Sequence, residues 1–170
     1  MRAPKWIVLR ARLFVGLVLV LVAGSAVWVL WPTPKPAPPR SREYLASTAC
    51  LLTDGQGVSG ATAAPVWAGM QDASLATRAK VQYLASAGAA TVDEVRPYLA
   101  TLVQRRCDVV VAVGGAQLAA VRSDANRYPA MRFVVVGSAS AEPNVKAVAD
   151  SAPEKVRKQV AALVRAAIGR

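Results

Sequence analysis

The sequence predicts an α/β fold: a three-layer α/β/α lobe on a parallel sheet of strand order 2-1-3-4-5, preceded by one transmembrane helix. Three observations carry this expectation. From residue 47 onward, short apolar runs alternate with segments of helical period, the pattern of βαβ units. One of those runs, "CDVVVAVGG" (107–115), is valine-rich and unbroken, as suits a central parallel strand covered on both faces. Near the start, "LFVGLVLVLVAGSAVWVLW" (13–31) runs nineteen residues without a charge, close to the ~20 that cross a bilayer as a helix.

Residues 1–12 carry Arg2, Lys5, Arg10 and Arg12, so the positive-inside rule places them in the cytoplasm and the rest of the chain outside. Trp6, Trp28 and Trp31 flank the apolar run, where interfacial aromatics belong. "AGSA" (23–26) offers a cleavage site for the rival reading, a secretory leader. The run stays apolar through Trp31, which favours a retained signal-anchor. "STAC" (47–50) lies too far beyond the apolar core for a lipid-modified cysteine. "PTPKPAPPR" (32–40) reads as a stiff polyproline spacer, part of a linker over 32–46 whose Lys35, Arg40 and Arg42 can touch anionic lipid.

Within the lobe, 47–150, "STACLLT" (47–53) is the first strand and "APVWAGMQDAS" (64–74) a helix with Pro65 in its first turn. "AKVQYLAS" (79–86) is the second strand. "TVDEVRPYLATLVQRR" (91–106) is a helix opened by Thr91 and Glu94 at capping-box spacing, with Pro97 expected to kink or restart it. After the strand at 107–115 come a helix at 116–128, a fourth strand in "MRFVVVGS" (131–138) and a fifth in "NVKAVA" (144–149). The segment 151–170 is an amphipathic helix, with Ser151 and Glu154 as a second capping box and Val156, Val160, Leu163, Val164 and Ile168 on one face. It either packs on the sheet or lies as a basic helix against lipid or a partner.

Composition narrows the chemistry. Of 170 residues, 21 are Lys or Arg, 10 are Asp or Glu and none is His. Without histidine, paired carboxylates or a nucleophile elbow, the reading is not an enzyme, and with Cys50 and Cys107 alone no zinc cluster forms. The two cysteines fall on strands expected to be neighbours. Outside the cytoplasm they are either a disulfide or two buried thiols. Basic residues are scattered and aromatics few, so no nucleic-acid partner is expected. Gly55, Gly57 and Gly60 match G-x-G-x-x-G, but the second strand ends "YLASAGAA" with no acid to hold a ribose, so no cofactor is expected.

The order of "CLLTDGQGVSG", "VWAGM", "VQYL", "LVQRRCDVVVAVGGAQLAAV", "YPAMRFVVVGS" and "PNVKAV" resembles the N-terminal lobe of the basic membrane protein (BMP, PnrA-like) family, over about residues 47–149. These are substrate-binding proteins of ABC transporters with the type I periplasmic-binding fold. Thr53, Asp54 and Gly57 match the family's first turn. Its Asp-x-Ser-Phe-Asn stretch is degenerate here, reading Gly60-Ala61-Thr62-Ala63-Ala64, and only one lobe is present. The resemblance implies a membrane-anchored, extracytoplasmic solute-binding or sensing module, with a nucleoside-like solute and an ABC permease as partners. The alternative is an interaction module acting through a partner protein or self-association. In either case the carboxyl ends of the strands form the working edge. Asp54, Gln56, Ser59, Gly114, Gly115, Gln117 and Ser138 are its candidate contacts.

Overall fold

A computed structural model describes residues 44–137 and 142–169. Among the described residues no helix is long and apolar enough to cross a membrane. The apolar segment expected to do so, 13–31, lies outside them, as do the basic N-terminus and the proline-rich stretch. Five parallel strands, β1 (Thr48–Thr53), β2 (Lys80–Ala85), β3 (Val109–Ala112), β4 (Arg132–Val136) and β5 (Val145–Val148), form one sheet in the order β2-β1-β3-β4-β5. The predicted α/β class and strand order are therefore both observed.

Each strand has the residues its place demands. All four residues of β3 are buried, because a central strand must satisfy an apolar layer on either face. β2, at the edge, has no buried residue and carries Lys80, Gln82 and Tyr83 instead. Alternate residues of β1 divide between the two faces: Ala49 and Leu51 enter one core, Cys50 and Leu52 the other.

Helix α1 (Ala63–Thr77) and helix α4 (Pro153–Ile168) cover the first face, with Val66, Met70, Val156, Val160 and Val164 against Val109, Val111 and Val134. Helix α2 (Val92–Gln104) and helix α3 (Gly115–Asp124) cover the second through Val95, Leu99, Leu102, Ala120 and Val121. The second core also holds the disulfide between Cys50 and Cys107, whose Cα atoms are 5.9 Å apart. The Gln82 amide of β2 donates to Cys50 Sγ at 3.1 Å, capping the bridge from the edge strand.

The terminal helix packs on the sheet. Gly69 of α1 faces the Arg157 backbone of α4 so closely that a Cβ there would overlap the Arg157 carbonyl oxygen. The same turn of α4 sends the Arg157 guanidinium to both carboxylate oxygens of Asp72, at 2.7 and 2.9 Å. That hydrogen-bonded guanidinium holds the Asp72 carboxyl below its ordinary value.

Local expectations fare unevenly. The Thr91/Glu94 capping box forms: Thr91 Oγ1 accepts from the Glu94 amide, and Glu94 Oε2 accepts from the Thr91 and Ala90 amides. The Ser151/Glu154 box does not. Pro153 takes the first helical position, so Ala152 is the N-cap and Ser151 lies one residue too early to cap the first-turn amides. Pro97 does not restart α2, which runs through it. It sits in the second turn, where losing one amide bond is offset by the burial of Val95, Leu99 and Leu102. The helix expected over 116–128 stops at Asp124 and tightens into a 3₁₀ turn, Ala125–Arg127. The Asn144 amide clamps the end of that turn, donating to the carbonyls of Ala125, Tyr128 and Met131.

Two outcomes test this packing. Gly69→Val is expected to pry α4 from α1 and cost about 1–3 kcal/mol of stability, the usual range for overpacking, read by chemical denaturation. An unchanged midpoint would mean that α4 is not seated there. Because the folded value of Asp72 is lowered, the ion pair contributes fully above the ordinary carboxylate pKa of about 3.9 and is lost as pH falls through the lowered value. Asp72→Asn is accordingly expected to melt below wild type at neutral pH, with the gap closing in acid. A gap that persists at the lowest pH at which the protein folds would contradict the assignment.

Candidate functional site

The carboxyl ends of β1, β3 and β4 meet where the strand order reverses, with β1 and β3 sending their following helices to opposite faces. A cleft of about 430 Å³ opens there, lined by Asp54, Thr62, Val113, Gly114, Gly115, Leu118, Val136 and Asp150. Its floor is apolar, since Val113 directly follows the fully buried β3 and Val136 ends β4. Its rim is polar, with two carboxylates, the Thr62 hydroxyl and the start of α3.

The turn after β1 shapes one wall. Asp54 Oδ1 accepts from the Gln56 amide at 3.0 Å, and the Gly57 amide donates to the Asp54 carbonyl. This tight turn needs Gly57 at φ 62°, a left-handed value that glycine adopts without strain. Asp54 itself lines the cleft. Gln56 and Ser59 are exposed and line no part of the cleft, because the 3₁₀ turn Gly57–Ser59 carries them outward.

The other wall is the start of α3. Gly114, at φ 110°, has no room for a side chain, since a Cβ would collide with Gln117 Oε1. Gln117 is 2% exposed and turns inward. Its amide donates to Ser86 Oγ at 2.8 Å, and Ser86 Oγ donates to the Thr53 carbonyl, also at 2.8 Å. Thr53 and Ser86 are themselves fully buried. This relay ties the ends of β1 and β2 to α3 and sets the width of the cleft. Gln117, expected as a contact, is thus buried behind the cleft and braces it: inside the fold its amide needs partners, and Ser86 supplies one.

Of the seven candidate contacts, the structure brings Asp54, Gly114 and Gly115 together, keeps Gln56 and Ser59 outside the cleft and buries Gln117. Ser138 lies outside the described residues. Thr62, Leu118, Val136 and Asp150 were missed. Asp150 was legible only as the first polar residue after a fifth strand, on the same edge as Asp54.

No family model matches the sequence, and no curated protein matches it. Solved structures do. A protein from Peptoclostridium difficile 630, described as a lipoprotein and solved as a fragment, superposes with a TM-score of 0.60 at 14% identity, covering 71% of this chain and 98% of that one. A solute-binding protein of an ABC transporter system from Aeropyrum pernix K1 superposes with a TM-score of 0.51 at 19% identity. That match covers 59% of this chain but 28% of the solute-binding protein. The fold is therefore that of a periplasmic-binding-like lobe.

The two glycines at the start of α3 separate scaffold from opening. Gly114→Ala is expected to destabilise by about 1–3 kcal/mol, through left-handed strain and the collision with Gln117. Gly115, with open space where its Cβ would be, should accept alanine with no loss. Equal denaturation midpoints for the two variants would refute the brace.

Proposed function

We propose that the chain is a membrane-anchored, extracytoplasmic binding module that takes a small solute at the carboxyl-edge cleft and performs no catalysis. The carrying observation is the position of the cleft, at the point where an open α/β sheet reverses its strand order and its loops diverge. The lobe-scale likeness to a solute-binding protein supports the fold on which such a site is built. The buried Cys50–Cys107 bridge suits an oxidising compartment. Relationship to the BMP family is part of this proposal, resting on Thr53, Asp54 and Gly57 and on the order of motifs around them.

The lining refines the class of solute. None of its residues is aromatic, so nothing there stacks a nucleobase, in keeping with the alanines at 61, 63 and 64. Two carboxylates, a hydroxyl and the first amides of α3 over a valine floor suit a compact solute bearing hydroxyl or amino groups. A second reading, an interaction module, is favoured by the exposed Leu75 and Tyr83 beside the open edge of β2.

The test is a thermal-shift survey of the full chain in detergent against polyols, sugars, amines, amino acids and nucleosides. A true ligand raises the melting temperature by mass action, worth about 2.7 kcal/mol at a hundred times Kd. Gly115→Leu should fill the cleft and abolish that shift while leaving the unliganded melting point in place. If no compound shifts the wild type, and sedimentation shows a dimer that Tyr83→Lys dissolves, the interaction reading replaces this one.

A further inference from the structure

The opposite edge of the sheet has different chemistry. The described connections at the carboxyl edge, 54–62, 86–91, 113–114 and 149–152, contain Asp54 and Asp150 and no Lys or Arg. At the amino edge stand Arg78, Lys80, Arg105, Arg106, Arg127 and Arg132, all exposed. Asp108 lies among them with its carboxylate turned to the Thr48 amide. No ion pair involves Arg78, Lys80, Arg105 or Arg106 among the described residues.

A cleft of about 660 Å³ opens on this edge, lined by Tyr44, Thr48, Lys80, Gln82 and Arg105 among others. It is wide and sets two cations, Lys80 and Arg105, beside the apolar surface of Tyr44 and Val81. Tyr44 and the adjacent Leu45 are 47% and 46% exposed. The chain enters the fold at this same place. Forty-three residues precede Tyr44, and their sequence includes the uncharged apolar stretch at 13–31 and the cations Lys35, Arg40 and Arg42. The residues between Trp31 and Tyr44 span at most roughly 47 Å when fully extended, so a lobe tethered by that stretch never leaves the neighbourhood of a bilayer.

We propose that the amino edge, centred on the Tyr44–Lys80–Arg105 cleft, docks on the anionic headgroups of the membrane that holds the chain, turning the carboxyl-edge cleft away from the lipid. Each basic residue brought to an anionic surface strengthens attachment about fivefold. A short tether raises the local concentration to the millimolar range, so this modest attraction suffices. Tyr44 and Leu45 supply an aromatic and an aliphatic group for the headgroup boundary, where amphipathic rings settle. The docking does not depend on what occupies the carboxyl edge.

The test uses the full chain in nanodiscs of phosphatidylcholine, alone or mixed in equal parts with phosphatidylglycerol, doped with a lipid bearing a gadolinium chelate on its headgroup. Methyl resonances are read at both edges. In the anionic discs, Leu45, Val81 and Val103 should broaden severalfold more than Ala61 and Ala87. In phosphatidylcholine alone only the weaker bias that comes from tethering at the amino edge should remain, and an equal difference in the two kinds of disc would overturn the proposal. Molar salt, which shortens the screening length to about 3 Å, should reduce the difference in anionic discs to the one seen in phosphatidylcholine alone. The double variant Lys80→Gln, Arg105→Gln should reduce attachment about 25-fold. Equal broadening of both edges in anionic discs would overturn the proposal, as would stronger broadening at Ala61 and Ala87. A response of the amino-edge methyls to a single-stranded oligonucleotide, with none to anionic lipid, would overturn it in favour of nucleic acid.

Discussion

A parallel sheet has two apolar faces, and one chain must cover both. Here the requirement is met by returning α4 across the first face beside α1. Val134, Val136 and Val148 lie in the core that α4 closes. Burying one such side chain contributes about 1.5–3 kcal/mol, so the sheet depends on that helix being seated closely. Gly69 makes the approach possible by having no side chain. Arg157 then serves twice, offering its backbone to the gap over Gly69 and its guanidinium to Asp72. The glycine sets how near the helices come, and the ion pair sets where along one another they stop.

The same economy governs the candidate site. Polar side chains at the carboxyl edge divide into those the fold consumes and those it leaves. Thr53, Ser86 and Gln117 are buried, and a relay through the Ser86 hydroxyl and the Thr53 carbonyl joins their segments. An unsatisfied group there would cost more than the bond returns. Asp54, Thr62 and Asp150 line the cleft and are what a ligand would meet. Gly114 joins the two sets, since its left-handed backbone lets Gln117 fold inward while the start of α3 stays open.

Much of this was legible in the sequence where one physical rule acts alone. Valine runs bounded by turns marked β3 and β4, because a short run of successive β-branched residues suits a strand covered on both faces. Thr91 and Glu94 read correctly as a capping box, because nothing between them competes for the first turn. Ser151 and Glu154 have the same spacing and read wrongly, because Pro153 shifts the helix start by one residue. Gln117 shows the deeper limit. A glutamine after a Gly-Gly turn has the spacing of a ligand contact, and only the packed position of Ser86, thirty-one residues earlier, reveals that its amide is already engaged. Asp150 was legible only indirectly, through the predicted order that sets β5 beside β4 and so brings the end of β5 to the edge that holds Asp54.

The opposed chemistry of the two edges has a topological root. In a parallel sheet covered by antiparallel helices, every helix starts at the carboxyl edge and ends at the amino edge. Helix dipoles favour acids at starts and bases at ends. Asp93, Glu94 and Glu154 occupy first turns, and Arg78, Arg105 and Arg165 sit at or near helix ends. Part of the charge separation is thus a by-product of stabilising the helices one at a time. Arg132 begins a strand, yet its guanidinium donates to the Ala167 carbonyl in the last turn of α4 and so follows the same rule. Lys80 is not explained this way, since it begins β2, and neither is the lack of any cation in the described carboxyl-edge loops. A charge recruited for a helix end still projects its field into solvent. If the chain is anchored as proposed, the dipole rule and the tether would act in the same direction. On the proposed docking, the edge that stabilises the helices would face the lipid and the acidic, open edge would face away from it.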